Sequence, residues 1–289
     1  MYKSITCKSA LNRLNSNYLP FRWDLNIYRG CEHRCSYCYA LYSHEYLQGG
    51  DFFRDIFIKE NIVEALEKKL RSPCWKRETV NLGGVTDSYQ PVEKTRKIMP
   101  DILRLLIRYR TPASISTKSE LILRDLDLFK ELARVAGADI AFSITTMDEN
   151  IYRKTEPGSS PPEKRFAALG EIAKSDIRCG VLCMPILPFL TDNSTNLEEI
   201  FRLTQESGGN YIYAGLLNLR GPTRGHFLHF IKENFPELYK RYCAHYENRA
   251  ARSSYRKKIY ALLSDLRQSY PLKYKTGIQQ NVAEQMELF

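Results

Sequence analysis

The sequence predicts an α/β fold made of repeated strand-helix units. Short runs rich in β-branched and aromatic residues alternate with longer runs whose apolar residues recur at three- and four-residue spacing. The alternation persists from residue 23 to residue 214 and does not separate into all-α and all-β parts. Composition agrees: 43% hydrophobic, 12% aromatic and 26% charged residues describe an ordinary globular chain and exclude disordered, collagen-like and coiled-coil classes.

Residues 23–28, with Trp23, Leu25 and Ile27, are expected as the first strand, and residues 61–70 as a helix carrying Ile62, Leu66 and Leu70 on one face. Strand 79–82 then precedes helix 92–109, strand 113–116 precedes helix 126–135, and strand 140–144 precedes helix 163–173. Strand 178–183 leads to helix 197–205, and strand 211–214 ends the series. Parallel strands joined by helices cross over right-handed. Either an open sheet or a partial barrel satisfies these units, and both place functional groups on the loops after the strands. Past Leu219 the pattern is broken by Gly221-Pro222, and residues 226–266 read as helical and rich in Tyr and Arg. The expected organisation is a polar segment over 1–19, a core over 20–220, and a helical extension over 221–289 that becomes a tail after Tyr270. A chain of 289 residues suits one large core with such an appendage.

No leader or membrane span is expected. The N-terminus lacks an apolar stretch, and the longest apolar run, residues 181–190, contains Pro185 and Pro188. Eight Cys, three of them between Cys31 and Cys38, read as a thiolate cluster in a reducing cytoplasmic compartment, not as a disulfide framework. The net charge of +10 is concentrated in residues 221–289, where basic residues outnumber acidic ones two to one. That tilt suits a polyanionic partner, nucleic acid above all, and equally a solvated basic helix.

The densest chemistry lies directly after the first strand, in Gly30-Cys31-Glu32-His33-Arg34-Cys35-Ser36-Tyr37-Cys38. Soft sulfur ligands at this density bind zinc or an iron-sulfur cluster. Zinc requires a fourth ligand, which His33 or His44 would supply. A [4Fe-4S] cluster ordinarily takes four Cys, and the next one is Cys74. Three ligands leave one iron open, an arrangement for catalysis.

The spacing Cys31-x3-Cys35-x2-Cys38, with Tyr37 before the last Cys, resembles the signature of the radical S-adenosylmethionine (SAM) superfamily. Further stretches are similar, in order, to the branch that contains spore photoproduct lyase and proteins called DNA repair photolyase. They are Gly83-Gly84-Val85-Thr86-Asp87-Ser88-Tyr89-Gln90-Pro91, Ser116-Thr117-Lys118-Ser119, Arg124-Asp125-Leu126-Asp127, Glu156-Pro157 with Arg165, and Met184-Pro185-Ile186-Leu187-Pro188. The resemblance covers residues 20–220. It implies a partial (β/α)6 TIM-like barrel with a [4Fe-4S] cluster on Cys31, Cys35 and Cys38. The open iron would be chelated by S-adenosyl-L-methionine, reduced by a donor such as flavodoxin or ferredoxin. Cleavage of the sulfonium would give a 5'-deoxyadenosyl radical that abstracts hydrogen.

The same resemblance distributes the cofactor contacts. Gly83 and Gly84 let backbone approach the ligand. Relatives commonly follow two glycines with Glu; Val85-Thr86-Asp87 stands here, so Thr86 and Asp87 become candidates for the ligand amine, unless this stretch only starts a helix. Lys118 and Ser143 would bond the methionyl carboxylate or ribose, Ser143 being equally a core hydroxyl. Arg165 would pair with that carboxylate or with Glu156. Tyr37 would pack by the adenine, with Tyr28 and Tyr39 as strand-edge aromatics. Spore lyase relatives return hydrogen from a Cys at the end of the second strand, and residues 81–87 contain none. Cys183, on one strand face with Cys179, is the substitute donor to weigh against a buried small hydrophobe. Cys7, Cys74 and Cys243 are too scattered for a second cluster. Between Arg241 and Lys258 the tyrosines at helical spacing, Tyr242 and Tyr246, are expected to pack, with the cations free to meet phosphate.

The reading is a radical SAM enzyme, lyase-like, with a nucleic-acid substrate. The alternatives are a radical SAM enzyme acting on a peptide or small molecule, a zinc-binding module, and a non-enzymatic iron-sulfur electron carrier.

Overall fold

The computed structural model describes residues 1–16, 19–46 and 50–272. Its strands are β1 (Tyr2–Ile5), β2 (Leu11–Arg13), β3 (Trp23–Leu25), β4 (Tyr28–Arg29), β5 (Ile56–Lys59), β6 (Val80–Leu82), β7 (Ala113–Thr117), β8 (Ala138–Ser143), β9 (Arg178–Ile186) and β10 (Tyr211–Leu216). Its helices are α1 (Ile62–Leu70), α2 (Glu93–Arg96), α3 (Met99–Arg108), α4 (Leu126–Val135), α5 (Glu149–Thr155), α6 (Pro162–Ala173), α7 (Ser194–Glu206), α8 (Gly221–Asn234), α9 (Pro236–His245) and α10 (Ser253–Ser269).

All six expected strands form one parallel sheet in the order β10-β9-β8-β7-β6-β3, and β2 adds antiparallel at the β3 edge. In register, Trp23 faces Val80, Val80 faces Ala113, Ala113 faces Ala138, and Asp139 faces Arg178. Among the described residues β10 does not pair with β2, so the barrel is partial. Along each strand the two faces differ. Ile115, Ile140, Phe142, Val181, Ile212 and Ala214 are buried against the helices. The alternate residues Asn81, Ser114, Ser116, Leu182 and Met184 are half-buried and line the lumen.

At the N-terminal ends of the strands the lumen is closed by polar groups. The Tyr211 hydroxyl donates to Asp139 Oδ1 (2.6 Å), Arg178 pairs with Asp139, and its guanidinium lies 4.2 Å from the centre of the Tyr211 ring. The opposite end is left to the loops.

Three features depart from expectation. The helix expected over 92–109 is two helices, broken where Lys97 adopts the left-handed φ of 52°. Pro100 has no N–H to donate back to Arg96 and its ring would clash with that carbonyl, so α2 cannot continue through it, whereas the first turn of α3 accepts it. The Glu93 carboxylate caps the restart by accepting from Ile98 N (3.2 Å) and Met99 N (3.0 Å). A second sheet, β1-β5-β4, lies outside the expected set, with β1 parallel and β4 antiparallel to β5. The polar N-terminal stretch thus supplies one strand to each sheet.

The third feature is that the stretch expected as helical over 226–266 forms three helices, α8 to α10, beginning at Gly221; the extension packs on the core. Phe227 and Ile231 of α8, Tyr242 of α9, and Tyr246 form one apolar cluster with Leu187, Leu217, Cys35 and Tyr37. Tyr242 and Tyr246 are fully buried, as expected of packing tyrosines. Of the tail expected after Tyr270, residues 273–289 lie outside the described residues. No helix among the described residues is long and apolar enough to cross a membrane.

Candidate active site at the cysteine loop

The loop after β4 holds three free thiols, with Cys31 and Cys35 buried and Cys38 half-buried. Burial pushes all three thiols up. Asp87, Cys35 and Cys38 add to the effect at Cys31, and Cys35 reaches about 12 against the opposing pull of Lys118. Groups so placed become thiolates only when a strong cationic acceptor holds them. Among the described residues no three His, Cys, Asp or Glu side chains converge on a single metal-ion position. His33 instead spans Gly158 O (2.9 Å) and Asp87 Oδ2 (3.0 Å), and His44 sits between the Phe52 and Phe57 rings. With His33 and His44 held elsewhere, a zinc ion would lack its fourth ligand, whereas three thiolates suit a [4Fe-4S] cluster with one open iron.

Two buried carboxylates brace this loop. Asp87 accepts from Tyr89 N (2.8 Å), Thr117 Oγ1 (2.8 Å) and Lys118 N (2.8 Å), and meets His33 Nε2. Burial opposes its ionisation, but His33 and these donors outweigh it and hold Asp87 at about 2. Thr86 donates to Gly30 O (2.6 Å) and accepts from Gln90 Nε2 (2.9 Å). Thr86 and Asp87, expected at the ligand amine, thus have their hydrogen bonds committed to the cysteine loop and its neighbours.

The second brace is Glu156. Tyr37 donates its hydroxyl to Glu156, Thr145 Oγ1 does so at 3.1 Å, and Arg165 Nη2 pairs with Glu156 Oε2 at 2.5 Å. Burial again opposes ionisation; Arg165, Lys118 and Tyr37 prevail and hold Glu156 at about 2. Arg165 also donates to Ser160 O (2.7 Å) and Ser143 O (2.7 Å) and is fully buried. Of its two alternatives, pairing with Glu156 is the one realised. Tyr37 is anchored through the same carboxylate.

Lys118, directly after β7, is different. Its ammonium lies 5.7 Å from the centre of the Tyr37 ring and makes no hydrogen bond or ion pair among the described residues. Burial lowers its pKa, but the nearby Cys35 and Glu156 outweigh that and leave it raised. The Ser143 hydroxyl, at the end of β8, is likewise without a partner among the described residues. At the end of β6, Gly83 has a φ of +91° and Gly84 lies against Asp24. Together the three Cys, Tyr37, Gly83, Gly84, Lys118 and Ser143 occupy the C-terminal ends of β3, β6, β7 and β8.

Cys183 does not join them. It shares the buried, helix-packed face of β9 with Cys179 and Val181, while Leu182 and Met184 take the lumen side. Burial alone pushes its thiol to about 12. Alternation correctly pairs Cys179 with Cys183, but the face they share is not the lumen face, which corrects the expectation of Cys183 as a donor beside the cluster. Sequence reasoning also passed over Asp24, Asn26 and Asn81, whose side chains meet beneath the glycine turn. The available signal was two polar residues at alternate positions, 24 and 26, in an otherwise apolar strand.

A partial barrel with three clustered thiols at its open end defines an iron-sulfur site of the SAM-dependent radical class. The chain matches the family model described as Radical SAM superfamily over residues 25–214, and it belongs to that superfamily. Its cofactors are a [4Fe-4S] cluster and S-adenosyl-L-methionine. An uncharacterized protein of Mycobacterium bovis is 39% identical over 83% of this chain and 72% of its own length. Another, from Methanocaldococcus jannaschii, is 30% identical over 80% of this chain and 83% of its own. Among solved structures, a spore photoproduct lyase variant with bound AdoMet and dinucleoside spore photoproduct is similar in fold. Its TM-score is 0.67 at 13% identity, covering 94% of this chain and 80% of that one. SuiB of Streptococcus suis bound to S-adenosylmethionine gives 0.55 at 12% identity, covering 91% and 52%.

Proposed function

We propose that this radical SAM enzyme holds its cluster on Cys31, Cys35 and Cys38, binds S-adenosylmethionine across Gly83-Gly84, Lys118 and Ser143, and abstracts hydrogen from a nucleic-acid substrate. The observation that carries the cofactor part is the half-buried Lys118 ammonium at the C-terminal end of β7, which feels Cys35 and Glu156 but forms no hydrogen bond or ion pair among the described residues and is therefore available to a ligand carboxylate. When bound, the reduced cluster and S-adenosylmethionine supply a 5'-deoxyadenosyl radical. The chain's residues do the rest. Lys118 meets the methionyl carboxylate, Ser143 offers a hydroxyl, and Asp87, Thr86 and Arg165 act on the loop and its braces instead of on the ligand. The half-buried lumen face and its closed floor restrict solvent around the reacting carbon.

A specific surface favours nucleic acid. Tyr39 and Tyr42, 58% and 42% exposed, stand on the turn that follows Cys38. α8 packs on that turn, and Thr223 Oγ1 donates to Cys38 O (2.9 Å). Next to the start of α8, Leu219 N bonds Arg249 O (2.8 Å) and Asn218 bridges to Ala250, which brings Arg220 and Arg249 to the end of β10. Both arginines are exposed and free of ion pairs among the described residues. Aromatic faces beside unpaired cations are the elements that stack bases and hold phosphates. The similar lyase structure holds a dinucleoside.

The test is anaerobic reconstitution followed by assay of iron, sulfide and 5'-deoxyadenosine under dithionite, alone and with irradiated DNA or tRNA. Cluster content with cofactor cleavage stimulated by one of the nucleic acids is the expected result. Iron-free protein would overturn the reading. Cleavage that ignores both nucleic acids would move the substrate to a peptide or small molecule. Arg220→Glu with Arg249→Glu should lower nucleic-acid affinity about tenfold and flatten its salt dependence, leaving cofactor binding unchanged.

A further inference from the structure

We propose that Asp24, assisted by Asn26, is the positioning residue that shapes the Gly83-Gly84-Val85 turn to receive the cationic end of S-adenosylmethionine. The inference rests on the reading that this turn cradles the cofactor.

Three successive amides of the turn are all held by β3 and the residue after it. Gly83 N donates to Leu25 O (2.8 Å), Gly84 N to Asp24 Oδ1 (3.0 Å), and Val85 N to Asn26 Oδ1 (2.9 Å). The clamp is itself cross-tied: Asn81 Nδ2 donates to Asp24 Oδ1 (2.8 Å), and Asn26 Nδ2 donates to Asp24 Oδ2 (2.5 Å). With its N–H groups turned inward, the turn has its carbonyls left as acceptors. The exposed Tyr39 donates its hydroxyl to Gly84 O, so at least that carbonyl faces the mouth. A carboxylate pulling on the Gly84 N–H polarises the turn's peptide groups, because hydrogen bonds in a low-dielectric site strengthen one another. Carbonyls so polarised suit an ammonium donor.

Asp24 also accounts for the identity of Gly84. A Cβ on Gly84 would lie 2.5 Å from Asp24 Oδ2 and 2.6 Å from Oδ1, so any side chain there would expel the carboxylate. That leaves no room for a thiol at this position at the end of the second core strand. Asp24 is 4% exposed and has no ion-pair partner among the described residues. Its hydrogen-bond donors are all neutral, and the buried Lys59 supplies a nearby opposing charge; burying a carboxylate so is unfavourable for folding, and burial raises its pKa despite Asn81, Asn26, Gly84 and Lys59.

The experiment compares Asp24→Ala, Asp24→Asn and Gly84→Ala in reconstituted holoenzyme, reading iron per chain, thermal midpoint and equilibrium binding of labelled S-adenosylmethionine. Asp24→Ala should weaken cofactor binding by roughly 10- to 100-fold, as expected for one charge-assisted hydrogen bond, with iron content retained. Asp24→Asn, which keeps an acceptor but not the charge, should fall between Asp24→Ala and wild type. Gly84→Ala should match Asp24→Ala, and the double variant should be no worse than either, because both act on one contact. Cofactor binding within twofold of wild type in Asp24→Ala overturns the proposal, as does loss of iron in step with loss of binding. If Asp24→Ala does not fold, wild-type affinity in Asp24→Asn overturns it. Failure of the wild-type holoenzyme to bind S-adenosylmethionine would be a separate result, sinking the proposed function and not the clamp alone.

Discussion

The cysteine loop is held differently on its two sides. Toward α5 and α6 it meets Glu156 and Arg165, and its own His33 meets Asp87 of the turn after β6, polar groups buried at hydrogen-bonding distance. Toward the C-terminal helices it meets Phe227, Ile231, Tyr242 and Tyr246, apolar and aromatic groups packed without ion pairs. Directional bonds dictate where a backbone must lie, whereas apolar contact excludes water and tolerates small shifts. The polar side should therefore set the geometry of the sulfurs and the apolar side their enclosure.

Removing what both sides enclose gives the largest effect. Cys35→Ala should abolish stable cluster assembly, read as loss of iron and of brown absorbance, with the apoprotein still folded. Next is the polar brace: Glu156→Ala strands the Arg165 guanidinium and should destabilise the apoprotein by about 3–5 kcal/mol in denaturant unfolding. The pH dependence of the apoprotein sharpens the point. Glu156 and Asp87 are held at about 2, below their unfolded values. Their contribution is complete above the ordinary carboxylate range and is lost as pH falls from there toward about 2. Glu156→Gln should flatten that acid limb, and an unchanged slope would break the assignment. On the apolar side Phe227→Ala should cost about 3 kcal/mol by leaving a cavity, with smaller change in cofactor affinity than Glu156→Gln. The smallest effect belongs to Thr223→Val, which removes the bond to Cys38 O and should cost about 1 kcal/mol.

The sequence made the barrel legible because each core strand carries one mainly apolar face, and because the β-branched and aromatic runs alternate cleanly with helical periodicity. The small sheet was not legible: β4 spans only Tyr28–Arg29 and β1 is an edge strand without an apolar run. The cysteine spacing exposed the cluster loop at once, since its three ligands are local in sequence. The cradle was only partly visible. Thr86 and Asp87 stand near the sulfurs, but of the partners that occupy them only Gln90 is near in sequence; Gly30 and His33 come from the cysteine loop and Thr117 from the end of β7. Alternation reveals that Cys179 and Cys183 share a face; it does not reveal which face a helix will cover. Arg165 had two carboxylates to choose from, and only the approach of α6 to the end of β8 decides between them.

The bond from Thr223 to Cys38 O joins the opening part of the chain to a segment made much later. Residues 31–38 leave the ribosome long before residues 221–246, so one flank of the sulfurs stays uncovered until those later residues have been made. Delivery of iron and sulfide is easiest in that interval, and the same interval is when oxygen reaches the thiols most readily. Folding of α8 and α9 is then the step that ends both opportunities.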